Sequence, residues 1–555
     1  MLTELKNIDP EKIGTLAECK NVLLVLLNAI ETLMQENSEL KVQNRKLQDE
    51  ISKLKGGNGR PEIKALKKPA TDISSKGKEQ GVKDNDTQER AAKTVAIDME
   101  IKVEMKASEL PVDAVFKGYV EYIQQDLSLQ RNNKRFLLGT YYSALEGKSY
   151  KAAIPAGEVG GHFGAGVRSL INILHHYGNV TESALAGLLE GFGIQISAGS
   201  ISNLLKAEHG WAVAEQTSVL RAALQPSVPI QMDCTGNLQR GVNKTTHIIT
   251  AAFFSVFYTL KGKSRLDCLN ALQANPGSAL QLKWYKGMTV QLQTAGVSSA
   301  DSNKIMEVLQ EYRSKVLTIT VLEELLQTKA PSIYEKKRIV HLLTETMALC
   351  YYRQQKQFLA LEVLLTDDAP EYAKIALFHA LCWVHDARYY NKLTPSIAIL
   401  ENKLEIFKAA YWNFYQKLLQ YKTLPASKQQ QQRAKIEKAF DKLFDQTTRY
   451  GALDLCIERT RNNKEKLLRV LDFPDLPLHN NTAELAARRV VRKRDISLHT
   501  WTDWGTQLRD AFMSIIETAK KLNVSAYQYI NDRITAQYNM PSLAHCIHNL
   551  FAPTF

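Results

Sequence analysis

Cysteine is scarce and scattered in this chain. The 555 residues include seven: Cys19, Cys234, Cys268, Cys350, Cys382, Cys456 and Cys546. The count is odd and no Cys-x-x-Cys occurs, which speaks against a disulfide framework and a structural zinc site. Long apolar runs are lacking too. The longest, Val22 to Ile30, is too short to span a bilayer, and no signal peptide opens the chain. The expectation is a reduced, cytoplasmic protein with no membrane partner. Acidic residues are in deficit: 71 Lys and Arg stand against 58 Asp and Glu, for a net charge of +13 and a pI near 9.1. That balance favours a polyanionic partner. Aromatics are nearly missing from residues 56–95, where Lys, Gly, Ser, Asp and Gln dominate; the stretch reads as a flexible linker.

What is present begins with leucine. Leu26, Leu33, Leu40, Leu47 and Leu54 recur every seven residues, and Leu23, Ile30, Asn37, Asn44 and Ile51 lie three before each. This is the a/d seam of a coiled coil over 1–55, with Asn37 and Asn44 as polar seam positions that fix register and favour a dimer. A long helix packed on its own protein is the other reading. Gly56-Gly57-Asn58-Gly59 stops the helix. Residues 96–160 read as a small mixed α/β region without a cysteine.

Residues 161–215 read as helical. Val167 to Tyr177 forms one helix, Thr181 opens a second, Gly191-Phe192-Gly193 breaks it, and Ser197 or Ser200 caps a third through Lys206. This is a helix-turn-helix pattern with Ser200, Asn203 and Lys206 as candidate DNA contacts, though an ordinary helical hairpin has the same pattern. A core over 225–500 follows. Val228 to Met232 is a strand that delivers Asp233, and two more strand candidates cover 246–260. Ala360 to Thr366 delivers Asp367. Helical segments interrupt the core at about 278–358 and 396–470, and 501–555 is a helical C-terminal region.

The most informative stretch is 472–494. Pro474 and Pro477 forbid helix, and Asn480 or Asn481 can cap one. From Thr482 onward Ala483, Ala487, Val490 and Val491 share an apolar face, while Glu484, Arg488 and Arg492 form a stripe beside it. Taken alone, that stripe is an exposed ion-pair face. Taken with Asp233 and Asp367, it suggests more. Three carboxylates converging from distant segments would make an oxygen-only site suited to two Mg²⁺ ions, with Mn²⁺ as a substitute. Such a site activates water or a 3′-hydroxyl for in-line phosphoryl transfer. Arginines beside it, Arg488, Arg489, Arg492 and Arg494, would hold phosphates.

At these residues the chain resembles the DDE transposases of the insertion sequence 66 family, as a divergent member without the zinc module. The resemblance rests on Asp233-x-Thr235-Gly236, on the strand ending in Asp367 with Tyr372 beyond it, and on Cys382-Trp383-x-His385 with Arg388. It rests also on Asn480-Asn481-x-Ala483-Glu484 with Arg488 and Arg494, and on Glu517-Thr518-Ala519-Lys520 with Tyr527 and Tyr529. It implies an α/β ribonuclease H-like catalytic core with large helical insertions, preceded by the coiled coil and the helical DNA-binding region. Asp233, Asp367 and Glu484 would be the catalytic metal ligands. It implies DNA as partner (transposon ends and target), a homodimer or higher oligomer through Leu26, Leu33, Asn37, Leu40, Asn44 and Leu47, and accessory proteins of the element. Location would be the bacterial cytoplasm, on the nucleoid when DNA is bound. Cys382 and His385 are expected to be packing residues. A catalytically inactive, transposase-derived DNA-binding dimer and a structure-selective nuclease are the rival readings.

Overall fold

The computed structural model describes residues 14–54, 97–104, 116–126, 129–155, 158–225, 228–273, 280–285, 287–355 and 359–551, without the side chains of 45, 46 and 49–54. The expected linker over 56–95 lies outside the described residues. Two units can be distinguished, Met1–Gln35 with Asn133–Phe555, and Glu36–Asn132.

The first element is a 39-residue helix, Leu16–Leu54. Its leading part lies in the larger unit and is anchored there by polar side chains. Asn28 donates its amide to the Arg449 carbonyl at 3.1 Å and accepts from the Gly451 N–H at 2.9 Å. Arg449 has φ +61°, and Asn28 satisfies both its carbonyl and the Gly451 N–H two residues on. Glu31, buried, accepts from the Ser396 N–H at 2.8 Å. The heptad residues Leu23, Leu26, Ile30, Leu33, Leu40 and Leu47 are on another stripe and are exposed. One helix thus has a docked face and an open seam. Asn28→Ala would leave two backbone groups unpaired, at a cost of about 1–2 kcal/mol. The expected outcome is faster proteolytic cutting within residues 14–35, with the overall unfolding midpoint nearly unchanged. An unaltered cutting rate would remove the docking role.

A hairpin follows, β1 (Thr140–Ser143) and β2 (Lys148–Lys151), paired antiparallel. The helices Ala165–His176, Glu182–Gly191 and Ala198–Ala207 come next. Thr181 and Ser197 cap the last two through side-chain oxygens, and Leu185, Leu189, Ile201 and Leu205 close their shared core. His209–Ala223 leads into the sheet.

The larger unit is a mixed α/β structure built on five strands. They are β3 (Ile230–Gln239), β4 (Val242–Ala251) and β5 (Phe254–Leu260), then, past the small pair β6 (Gln281–Lys283) and β7 (Val316–Thr318), β8 (Val363–Thr366) and β9 (Phe378–Leu381). The order is β5-β4-β3-β8-β9. β3, β4 and β5 are antiparallel, whereas β3, β8 and β9 run parallel. β8 reads Val-Leu-Leu-Thr and is wholly buried, as a parallel strand covered on both faces must be. Leu364 joins one core with Met232, Ile249 and Val256; Val363 and Leu365 join another on the opposite face.

The free edge of β5 is covered by the helix Asp503–Lys521. Its side chains accept the outward N–H groups of alternate β5 residues. Asp510 takes Thr259 at 2.6 Å, Ser514 takes Phe257 at 3.0 Å, and Thr518 takes Ser255 at 3.2 Å. Acceptors four residues apart on a helix match donors two apart on a strand, since the rises are nearly equal. This closes an edge that would otherwise pair with another chain.

Two segments of the core were expected to be helical insertions. The segment 278–358 is largely helical, but it carries β6 and β7 and its apolar side chains belong to the same core as the sheet, so it is no detached insertion. The segment 396–470 builds a core of its own. Helices Ala398–Lys422, Ala426–Phe444 and Gly451–Asn462 enclose Phe407, Tyr411, Phe414, Phe440 and Phe444 around Trp383. Among the described residues no helix is long and apolar enough to cross a membrane.

Candidate active site

Register brings the first two acids together. In the parallel pair, Ile230 faces Leu364 and Gln231 faces Leu365. Two residues further on, the same register sets Asp233 level with Asp367, just past the end of β8. Neighbouring strands are about 4.8 Å apart, and residues an even number apart share a face, so both carboxylates leave the sheet on one side. The third acid comes from the helix Asn481–Ser497, which crosses that side. Its Ala486 and Val490 pack on Ile248 and Phe257. The helix start is pinned by Asn480, which is buried. Its side-chain amide donates to the Met232 carbonyl at 3.0 Å, and its backbone N–H donates to the Cys382 sulfur at 3.2 Å. Asn480 therefore sits at the cap position but spends its side chain on β3, one residue before Asp233, and makes no side-chain cap bond. Glu484 begins the next turn.

The result is an open cavity of about 390 Å³ lined by Asp233, Asp367, Glu484, His385, Arg388, Arg488, Ala487 and Val491. The buried apolar face of the helix is Ala483, Ala486 and Val490; Ala487 packs at its margin and also lines the cavity, and Val491, expected on the face, lines the cavity. Asp233 accepts from the Cys234 N–H at 2.7 Å. Its carboxyl is pushed up to about 6, chiefly by burial and further by the charges of Asp367 and Glu484, against the pull of the Cys234 N–H and Arg388. Asp367 accepts from the Ala369 N–H at 3.2 Å. Glu484 is held by Arg388 at 2.8 Å and by His385 Nε2 at 3.2 Å. His385, read as a packing residue, thus lines the cavity; burial, with Arg388 next, lowers its pKa. Cys382 is buried as expected.

The donor chemistry suits a hard divalent cation: three carboxylates on one cavity, no sulfur, and one carboxyl that burial, with its acidic neighbours next, makes reluctant to ionise. The ring is not closed as the side chains stand. Among the described residues no three His, Cys, Asp or Glu groups are close enough to enclose an ion, and Glu484 is turned to its two basic partners.

The arginine ladder divides. Arg488 lines the cavity and is exposed, and Arg492, one turn further along the helix, is exposed too. Arg489 pairs with Glu517 at 2.6 Å and lies over the Tyr177 ring. Arg494 donates to the Gly236 carbonyl at 2.5 Å. On the far side Lys493, pushed down to about 8 by burial, donates to the His175 carbonyl at 2.6 Å and so ties this helix to the Ala165–His176 helix. In the helix-turn-helix region Asn203 and Lys206 are exposed, and the Ser200 hydroxyl is bonded to Ser197 at 2.9 Å.

Sequence reasoning missed Asn480's tie to β3 and the group formed by Asp368, Asp386, Tyr389 and Arg459 behind the second acid. Asp386 and Tyr389 are near His385 and Arg388, which was the one available hint.

The sequence model of a family described as "Transposase IS66 family" matches residues 348–508, a span that holds Asp367, His385, Arg388 and Glu484. A protein of Sinorhizobium fredii (strain NBRC 101917 / NGR234), named "Uncharacterized protein y4jO", is 29% identical over 316 residues, 57% of this chain and 94% of that protein. No solved structure matches. The match supports a transposase function, with DNA as the substrate such a family implies. Over residues 348–508 this chain carries the pattern of the IS66 transposase family, as its motifs suggested.

Proposed function

We propose that the chain cleaves and joins DNA strands by phosphoryl transfer, with Asp233, Asp367 and Glu484 as the acids of a divalent-metal site on a ribonuclease H-like core. The observation that carries this is the β3–β8 register. Continued by two residues, it brings Asp233 on β3 level with Asp367 just past β8, and a third acid arrives on a helix pinned one residue from the first. A bound Mg²⁺ pair would supply water activation and leaving-oxygen stabilisation. The chain's own groups do the rest. Asp233, Asp367 and Glu484 offer the oxygens, Arg388 holds Glu484 until it is needed, and Arg488 and Arg492 receive backbone phosphates. The exposed Leu26, Leu33, Leu40 and Leu47 seam, with Asn37 and Asn44, would pair two copies, so that two DNA ends are held together.

A second reading has one observation in its favour. The Arg388–Glu484 pair satisfies the third acid without any ion, as a DNA-binding dimer that no longer cuts would allow. The deciding experiment incubates the protein and Mg²⁺ with duplexes carrying the inverted repeats that flank its own coding sequence. Nicked and strand-transferred products are expected. Binding without any cut product would leave the silent dimer.

The arginines give a separate test. Arg492→Ala is expected to weaken all duplexes alike by ~3-fold and to lower the salt slope of binding by about one, as loss of one phosphate contact does. Arg489→Ala should instead lower the unfolding midpoint, because it strands Glu517, and should leave the salt slope alone. A reversal of the two phenotypes would misplace the DNA path.

A further inference from the structure

We infer that Arg459, supplied by the 396–470 segment, is a positioning residue for the second acid and for the partners of the third; the inference rests on the proposed chemistry. Arg459 lies on the helix Gly451–Asn462. One arm of its guanidinium pairs with Asp368, the neighbour of Asp367. The other donates to Asp386 at 2.7 Å. Asp386 is the neighbour of His385 and two residues before Arg388, the two groups that hold Glu484. The guanidinium lies 3.4 Å from the Tyr389 ring centre, and the Tyr389 hydroxyl is 3.3 Å from both Asp368 oxygens.

The anchor end of this bridge is rigid. Asp386 is almost wholly buried and also accepts from Thr460 at 2.8 Å and Tyr411 at 3.1 Å. The other end needs such an anchor. β8 has only four residues, and the chain beyond it holds just the short turn Pro370–Tyr372 before β9. An acid placed at the end of a short strand keeps its position only if the loop is tied. A planar fork that reaches two carboxylates at once, and stacks on a ring, makes that tie; a lysine ammonium on a flexible stem has no rigid fork to fix the spacing of the two and no plane to stack. The helical segment therefore does more than lengthen the chain between the second and third acids: it sets where they stand.

The test uses the full chain and three variants: Asp368→Asn, Arg459→Lys and the double. Asp368 is on the open side of the bridge, so Asp368→Asn leaves the Arg459–Asp386 contact in place and guards against a folding defect in the arginine variant. Both singles are expected to slow cleavage of the flanking-repeat duplex by ~10–100-fold, the usual range for residues supporting a metal site, with KM for the duplex within ~2-fold. In calorimetric titration without DNA, both should weaken Mn²⁺ uptake by ~10-fold, a change a merely structural residue would not make. The double variant should be no worse than the poorer single. Wild-type rates and Mn²⁺ affinity in Asp368→Asn, or losses that multiply in the double, overturn the inference. A wild-type chain that takes up Mn²⁺ but cuts nothing, with uptake weakened in both singles, supports the positioning role and overturns the strand-cleavage reading instead. A wild-type chain that takes up no Mn²⁺ sinks both.

Discussion

Asp233→Asn is expected to lose strand cleavage by at least about 10³-fold, and at the same time to make the metal-free protein more stable above pH 6. The first effect follows from the proposed role, since an amide is a poor substitute for a metal-binding and charge-bearing carboxylate. The second follows from the position of the group. Asp233 is half-buried within β3, with two further carboxylates on the same cavity. Its carboxyl titrates near 6 in the fold, against 3.8 for an ordinary aspartate. The folded state therefore holds the proton more tightly than the unfolded chain. This group's contribution to stability is intact below about pH 3.8 and is lost as pH rises through about 6. Above that the ionised carboxylate costs about 1–3 kcal/mol, and asparagine, which never ionises, is spared it. Unfolding midpoints measured in EDTA from pH 4 to 8 should show variant and wild type separating between about 4 and 6, then running parallel. Addition of Mn²⁺ should close the gap by stabilising the wild type alone. A gap that ignores pH would mean that neither burial nor the neighbouring charges hold the acid off its ordinary range. A variant that cuts at the normal rate would remove Asp233 from the chemistry.

That shift could not be read from the sequence, although its ingredients could. The strand expected over 360–366 is observed as Val363–Thr366, and the helix expected from Thr482 as Asn481–Ser497; the strand expected to end at Met232 instead runs from Ile230 to Gln239, because β4 pairs with it throughout, so Asp233 lies within it. Each was legible because hydrophobic period and proline or asparagine punctuation are local signals. The three caps and breaks around 181–206 were legible for the same reason. What joins the acids is not local. The Gln231↔Leu365 pairing links segments far apart in the chain, and only the completed sheet selects that register over its neighbours. The helix face was half right. Ala483 and Val490 are buried and Ala487 packs beside them, but Val491 turns to the cavity, and Lys493 is buried because it finds the His175 carbonyl. A lysine inside is invisible to a hydrophobic pattern, since its burial depends on an acceptor supplied by another helix. Arg459 is invisible for a similar reason. On its own helix it is one more charged residue, and its meaning lies in Asp368 and Asp386.

The second large effect is expected at Trp383, where Trp383→Ala should cost about 3–5 kcal/mol, the range for emptying a buried aromatic site. The indole is fully buried, with ring centres 5.5 Å from Tyr411 and Phe414 and 6.3 Å from Phe440. Its N–H donates to the Leu467 carbonyl at 2.9 Å, so the truncation also leaves a buried acceptor unpaired. The backbone adds a reason to expect loss of function. The Trp383 backbone N–H donates to the Leu478 carbonyl at 3.0 Å, two residues before Asn480, and its own carbonyl accepts from Tyr411 at 2.9 Å. Trp383 also opens the helix Trp383–Asn391, which carries His385, Asp386 and Arg388. An emptied indole site therefore loosens the 396–470 core, the approach to Glu484 and the partners of Glu484 together. Trp383→Phe keeps most of the ring volume and loses the N–H bond, so its cost should be about 1–2 kcal/mol, with cleavage retained. Urea unfolding and cleavage rates of the two variants decide the matter. A Trp383→Ala protein that unfolds at the wild-type midpoint would show that the aromatic core does not hold this segment on the sheet. One that is destabilised as expected yet cuts as fast as the Phe variant would show that the acids keep their places without it.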